Sequence, residues 1–164
     1  MINMQNKVAE SEVIVRPLHI EDREDFLAMS KAFFNSDAVA HKVEDVYHER
    51  TFAELMRSSE YTECYMICIA DQSVGYALTA KTWSREAGGL TVWLEELFIL
   101  PEWRGHGLGA TFLSRWLNRV EKKEKDIYRL RLEVEPENRD AMRLYRRQGF
   151  ERLGYDAWVK ELPH

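Results

Sequence analysis

Arg104-Gly105-His106-Gly107-Leu108-Gly109 is the segment that most constrains this chain. It follows an apolar run, Leu90 to Leu100, that reads as a strand and is ended by Pro101. It opens the longest amphipathic pattern in the sequence, about 107–124, where Leu113, Trp116, Leu117 and Val120 recur at i, i+3, i+4 and i+7 and predict a helix. Glycines at a strand-to-helix joint let the backbone approach a ligand closely, and the first N–H groups of the helix attract an anion. The segment therefore predicts an anion-binding loop.

Two nucleotide motifs can be tested against it. A P-loop requires Gly-Lys-Ser/Thr after its spacer, but Gly109 is followed by Ala110 and Thr111, so no lysine reaches a terminal phosphate. Gly105-x-Gly107-x-x-Ala110 does satisfy the dinucleotide pattern, with Glu133 at the end of the next strand. That motif sets its first glycine directly at the strand end, whereas Pro101 to Arg104 intervene here, and too little chain follows 135 to complete such a sheet.

The remaining pattern places the loop late in one α/β or α+β layer arrangement of order βααβββαβαβ. The segment Glu12 to Pro17 reads as a strand, and Phe26, Met29 and Phe33 mark a helix opened by Glu21 and Asp22. A second helix is expected over about 45–58 around Phe52, Leu55 and Met56. Strands are expected at 63–70 and 74–82, joined by Asp71, Gln72 and Ser73, and a further turn at 86–89. A strand at 127–135, a helix from Asn138 to about Arg147 stopped by Gly149, and one or two short C-terminal strands complete the order. The 164 residues, 45% of them hydrophobic, suit one core, so 1–164 is expected to be a single domain with 1–11 frayed.

No apolar run approaches the length of a membrane span, and the N-terminus lacks the apolar stretch of a secretory signal, so a cytoplasmic protein is expected. The net charge of −5 argues against a nucleic-acid coat. Its distribution is uneven: residues 1–100 carry −8 and residues 101–164 carry +3, a division that suits a cationic substrate brought to an anionic cofactor or reflects scattered solvated faces. Cys64 and Cys68 lie four apart on an expected strand, roughly 13 Å from each other, too far for a disulfide. His19, His41, His48, His106 and His164 show no ligand spacing, so no metal is expected and the thiols read as buried.

The stretch LEELFILPEWRGHGLG resembles the signature of the GNAT superfamily of acetyl-CoA-dependent N-acetyltransferases. That family's loop, Arg/Gln-x-x-Gly-x-Gly/Ala, is matched at every defined position by Arg104 to Gly109. A second family block is matched by Asn138, Ala141, Tyr145 and Gly149-Phe150. The resemblance implies a mixed, mostly antiparallel central sheet with helices on both faces, splayed between its two central strands. It also implies acetyl-CoA as co-substrate, with the pyrophosphate on the N–H groups of Arg104, Gly105, His106, Gly107, Leu108 and Gly109. The pantetheine arm would run beside Leu97, Phe98 and Ile99, with Asn138 touching the same arm.

Acetyl transfer to an amine needs a neutral nitrogen, while an alkylammonium is protonated at pH 7, so a base must take the proton. Glu95 and Glu96 lie beside the expected thioester, and strand alternation points one of them into the cleft. Tyr145 stands where the family commonly places the acid that protonates the departing thiolate. The cysteines have no base partner in the sequence, so direct attack in a ternary complex is expected. Within the family, the run from Trp93 to Gly109 with LYRRQG at 144–149 is most similar to the diamine and polyamine N-acetyltransferases. Phe33, Phe34, Tyr47, Trp83 and Trp93 are candidates for the acceptor site. The expected partners are acetyl-CoA and a small amine, with neither nucleic acid nor membrane, and the expected assembly is a homodimer. An aminoglycoside, a protein lysine and a non-catalytic acetyl-CoA sensor are the alternatives.

Overall fold

The computed structural model describes residues 7–36, 39 and 42–163. In chain order the elements are β1 (Val13–Pro17), α1 (Arg23–Phe34), α2 (Asp45–Arg57), β2 (Thr62–Ile69), β3 (Gln72–Ser84), β4 (Gly89–Ile99), α3 (Leu108–Lys123), β5 (Ile127–Leu132) and α4 (Arg139–Arg147). The strands form one sheet in the order β1-β2-β3-β4-β5, antiparallel throughout except for the parallel pair β4 and β5.

Alternation along β2 explains how the sheet is covered. Tyr65 and Ile67 face one side, where Phe112, Leu113, Trp116 and Val120 of α3 pack on them together with Val13, Val92 and Leu94. Cys64, Met66 and Cys68 face the other, against Phe26, Leu27, Met29 and Phe33 of α1 and Phe52 of α2. Both thiols are buried and unpaired. Each fully buried large apolar side chain contributes roughly 1.5 to 3 kcal/mol, so these two layers hold the sheet rigid beneath whatever its edge presents.

Polar ties fix the ends of these layers. Arg16 of β1 grips Asp22, just before α1, with two hydrogen bonds of 2.6 and 2.7 Å, and Asp22 also accepts from the His19 N–H at 2.8 Å. Arg115 of α3 donates to the carbonyls of Val13 and Glu10, while Val8 packs against the α3 side of the core. The fraying expected over 1–11 therefore does not extend to Val8–Glu10.

Three other expectations are corrected. The β2–β3 turn is Ala70-Asp71, with Ala70 at φ 50°, and Gln72 and Ser73 belong to β3, where they pair with Ile69 and Cys68. A two-residue turn with positive φ matches the twist of the strands it joins. Strand β5 ends at Leu132 instead of 135. Residues 151–163 form neither helix nor strand, and Tyr155, Trp158, Val159 and Leu162 lie exposed. An alternating run becomes a strand only against a neighbour, and this one meets none.

Candidate active site

β4 is irregular where the site is expected. Leu78 of β3 faces Glu96, but the next residue, Thr79, faces Leu94, so Glu95 is an extra residue with no partner on β3. This is a β-bulge, and it inverts the alternation that follows. Val92 and Leu94 face α3 before it; Leu97 and Ile99 face α3 after it. Both glutamates consequently lie on the α1–α2 side, which corrects the expectation that alternation would send them to opposite faces.

The two carboxylates sit in different surroundings. Glu95 is exposed and lines a groove of ≈ 500 Å³ together with Arg50, Thr51 and Glu54 of α2, Thr62 of β2, and Leu78 and Ala80 of β3. Lost hydration, with repulsion from Glu133, raises its pKa. Glu96 is more deeply enclosed and accepts a 2.5 Å hydrogen bond on Oε2 from the hydroxyl of Tyr76. Burial pushes the Glu96 carboxyl up to about 7, against the pull of that hydrogen bond and with a further push from Glu95. A carboxyl that titrates near neutrality beside a groove is suited to general-base work.

The bulge also marks where the sheet opens. Pairing of β4 with β5 ends at Leu94 and Leu132, just below a contact in which the Arg131 guanidinium lies 4.3 Å from the centre of the Trp93 ring. From Glu96 to Ile99, β4 is paired with β3 alone, so its other edge presents backbone N–H and C=O groups to the opening. Gly75 permits this part of the sheet to close up: a Cβ there would lie 2.4 Å from the Phe98 carbonyl oxygen.

The glycine loop caps the same opening. Gly105 and Gly107 have φ of 78° and 85°, and Gly107 is the residue from which α3 starts. The first turn of α3 offers N–H groups that have no acceptor within the helix, which is the requirement for holding a phosphate. Arg104 latches the loop to β4 by donating from Nε to the Ile99 carbonyl at 2.9 Å, with its guanidinium over the Phe98 ring. His106 Nδ1 is 2.9 Å from the Arg104 carbonyl oxygen. Leu108 and Phe98 are buried, so only their backbone could meet a ligand. At Gly109 an added Cβ would touch Leu97 and Leu144, so the loop, β4 and α4 converge here.

Tyr145 on α4 packs edge-on against Phe150, 6.0 Å between ring centres, and burial raises its pKa, so it stays a phenol at neutral pH. Asn138 spends Oδ1 on capping α4 through the Ala141 N–H at 3.2 Å, which leaves its amide NH₂ for any further contact. Phe33 belongs to the core, Phe34 packs on His48, and Trp83 is exposed, so these three do not surround the groove. Residues not anticipated are Tyr76, Glu54 and Lys7, whose Cε lies 3.0 Å from where a Gly107 Cβ would be. Among the described residues no group of three His, Cys, Asp or Glu could hold a metal, and no helix is long and apolar enough to cross a membrane. His41 and His164 lie outside the described residues.

A strand pair that parts beside a glycine loop can be compared with known proteins. The profile of the acetyltransferase (GNAT) family matches residues 24–150. The chain belongs to this family. Its GNAT fold is shared with an integron cassette protein from the mobile metagenome of Cole Harbour Salt Marsh, at TM-score 0.77 and 24% identity, covering 94% of this chain and 93% of that one. It is shared also with AAC(6')-Iy solved with a bisubstrate analogue, CoA-S-monomethyl-acetylneamine, at TM-score 0.74 and 15% identity, covering 92% and 99%. A curated relative is an uncharacterised N-acetyltransferase of Methanocaldococcus jannaschii, 26% identical over 144 residues. The match covers 84% of this chain and 60% of that relative's length.

Proposed function

We propose that this chain, as one N-acetyltransferase domain over 1–164, moves the acetyl group of acetyl-CoA to a small cationic primary amine by direct attack in a ternary complex. The observation that carries this reading is the free edge of β4 beyond Leu94, with Glu96 enclosed against Tyr76 beside it and pushed up to about 7 by burial. Several residues fit acetyl-CoA. The open backbone of Leu97, Phe98 and Ile99 suits an amide-bearing arm, although Arg104 already uses the Ile99 carbonyl. The loop from Arg104 to Gly109, with Lys7 beside it, suits a pyrophosphate, and Asn138 lies at the start of α4.

In this reading Glu96 takes the proton of the ammonium, the freed amine attacks the thioester carbonyl, Tyr145 protonates the sulfur that leaves, and the second proton lost by the acetylated nitrogen restores the Tyr145 phenol. Cys64 is buried and its thiol pKa is driven far up, which opposes an acyl-enzyme route. Glu95 is the carboxylate in the groove that can attract a cation, since Glu54 is paired with Arg57, and this is in keeping with the −8 carried by residues 1–100. An aminoglycoside is the second reading, favoured by the acetylneamine analogue bound to AAC(6')-Iy. Unpaired cysteines suit a reducing, cytoplasmic setting. We infer a homodimer because Tyr155, Trp158, Val159 and Leu162 and the outer edge of β5 are surfaces a second copy would cover.

The test is release of free CoA thiol with a panel of diamines, polyamines, aminoglycosides, a lysine peptide, neutral arylamines and anionic amino acids. The best acceptor should be a cationic primary amine whose kcat/KM falls as salt rises. A neutral or anionic best acceptor with no salt dependence would refute the cationic specificity. No turnover with any amine, despite acetyl-CoA binding by calorimetry, would favour a sensor.

A further inference from the structure

Three polar side chains cross the aromatic layer between the sheet and its first two helices. Tyr76 Oη on β3 meets Glu96 Oε2 of β4 at 2.5 Å. Ser30 Oγ on α1 lies 2.7 Å from Nδ1 of His48 on α2, and the Ser30 hydroxyl acts on the same tyrosine, lowering a pKa that burial raises. Tyr76 is fully buried, and Ser30 and His48 are each 4% exposed, among Phe26, Phe34 and Phe98. A buried hydroxyl or imidazole costs free energy unless its hydrogen bonds are made, and an apolar residue at each site would avoid that cost. Here Tyr76 is satisfied by Glu96, and Ser30 and His48 satisfy one another.

We propose that Tyr76, Ser30 and His48 form a relay that carries the amine's proton from Glu96 to the outer side of α2. The inference rests on Glu96 being the base. A base enclosed by the sheet must lose its proton before the next turnover, while acceptor or product fills the groove beside it. With the ring proton of neutral His48 on Nδ1, every donor in the line points toward the Glu96 carboxylate. Once Glu96 is protonated the two hydroxyls turn round and His48 changes to its other neutral tautomer, losing the Nδ1 proton to water and taking one from water on Nε2, so that Nδ1 can accept. The Glu96 Oε2–H proton then passes to Tyr76 Oη, the tyrosine's own proton to Ser30 Oγ, and the serine's to His48 Nδ1. His48 releases its Nε2 proton to water. Carboxylate, both hydroxyls and a neutral imidazole are thereby restored, with one O–H or N–H bond formed for each one broken.

The charges around His48 suit this role. Among the described residues the one buried side-chain N or O atom without a partner is Thr91 Oγ1, so Nε2 of His48 is not sealed away unpartnered. Burial lowers the pKa of His48; Asp45 on α2 acts to raise it and Lys31 on α1 to lower it, and these two are themselves paired at 2.9 Å. An imidazole held neutral in this way accepts a proton and gives it up readily. The other groups facing the line are Glu95 on β4 and Cys64 on β2, whose thiol burial keeps protonated. Tyr76, Ser30 and His48 thus act through Glu96 as positioning residues.

The test compares Ser30→Ala, Ser30→Thr, His48→Ala and Glu96→Gln in acetyl transfer to the best amine of the panel. Ser30→Ala should lower kcat at least tenfold with both KM values nearly unchanged and a larger solvent isotope effect, and Ser30→Thr should restore it. His48→Ala should be rescued by added imidazole. Correctly folded Ser30→Ala with unaltered kcat and isotope effect, beside an inactive Glu96→Gln, would overturn the relay and leave the base assignment standing. An active Glu96→Gln would overturn the base assignment and with it the relay. Should the substitutions impair folding, ¹⁵N NMR of His48 in the unaltered protein decides. Its Nδ1 protonation should change as Glu96 titrates near pH 7, and a tautomer constant across that range would refute the connection.

Discussion

The hydroxyl of Tyr76 lies 2.5 Å from Oε2 of Glu96, although the two are twenty residues apart and on neighbouring strands. The bond steadies a carboxylate that burial destabilises, and the balance leaves Glu96 titrating at about 7.

Glu96→Gln is expected to lower kcat/KM by about 10² to 10⁴ and to abolish the limb of the pH profile that rises through about 7. Stability should respond with a definite sign. The folded state holds a proton that the unfolded carboxyl releases near 4.5, so the native protein should lose stability as pH climbs from about 4.5 to 7. Thermal melts of Glu96→Gln should be flatter over that window. Melts that track the native protein there would contradict the assignment.

The two loop glycines should respond differently. Gly107 has φ 85° with the Lys7 side chain close by, so Gly107→Val should raise the Kd for acetyl-CoA more than tenfold. At Gly109 a Cβ would make ordinary contacts of 3.5 Å with Leu144 and 3.8 Å with Leu97, so Gly109→Ala should alter Kd less than about threefold. Titration calorimetry separates the pair, and equal losses would argue against the loop geometry.

Tyr145→Phe deletes one hydroxyl and keeps the ring against Phe150. If the phenol is the acid, kcat should fall by about 10² to 10⁴ while the Kd for acetyl-CoA barely moves. Near-native turnover of a good acceptor would remove Tyr145 from the chemistry.

Asp22→Asn should cost about 2 kcal/mol, since a charged acceptor of three hydrogen bonds is lost from a site 10% exposed. The Arg16 guanidinium holds the Asp22 carboxyl below its ordinary range, so this stabilisation exists above pH 3.8 and disappears as pH falls below it. Urea melts of the native protein should therefore weaken in acid more steeply than those of the variant.

The loop and the long helix were legible because their evidence is local: glycines, a following 3.6-residue period, and a proline at the strand end. Positions that depend on the partner strand were not. The run from Leu90 to Leu100 is apolar on both faces, so nothing in it reveals that Glu95 interrupts the ladder. Ser30 and His48 look like ordinary members of amphipathic helices until packing brings them together. Lys7 sits in a polar N-terminal stretch whose docking depends on Arg115, more than a hundred residues away. The C-terminal alternation promised strands, but an alternating pattern does not specify a partner.

The bulge in β4 makes Glu95 surplus to the ladder. With that residue deleted, Leu94 and Glu96 would follow one another in regular alternation, and every pairing on both sides of the gap could persist. Such a deletion variant would be a simpler sheet, free of the local disruption a bulge imposes, yet its groove would lose Glu95 and keep only Glu54. Selection for stability alone would be expected to erase an insertion of this kind. Its presence gives up the regularity of the ladder for one more carboxylate on the wall of the groove.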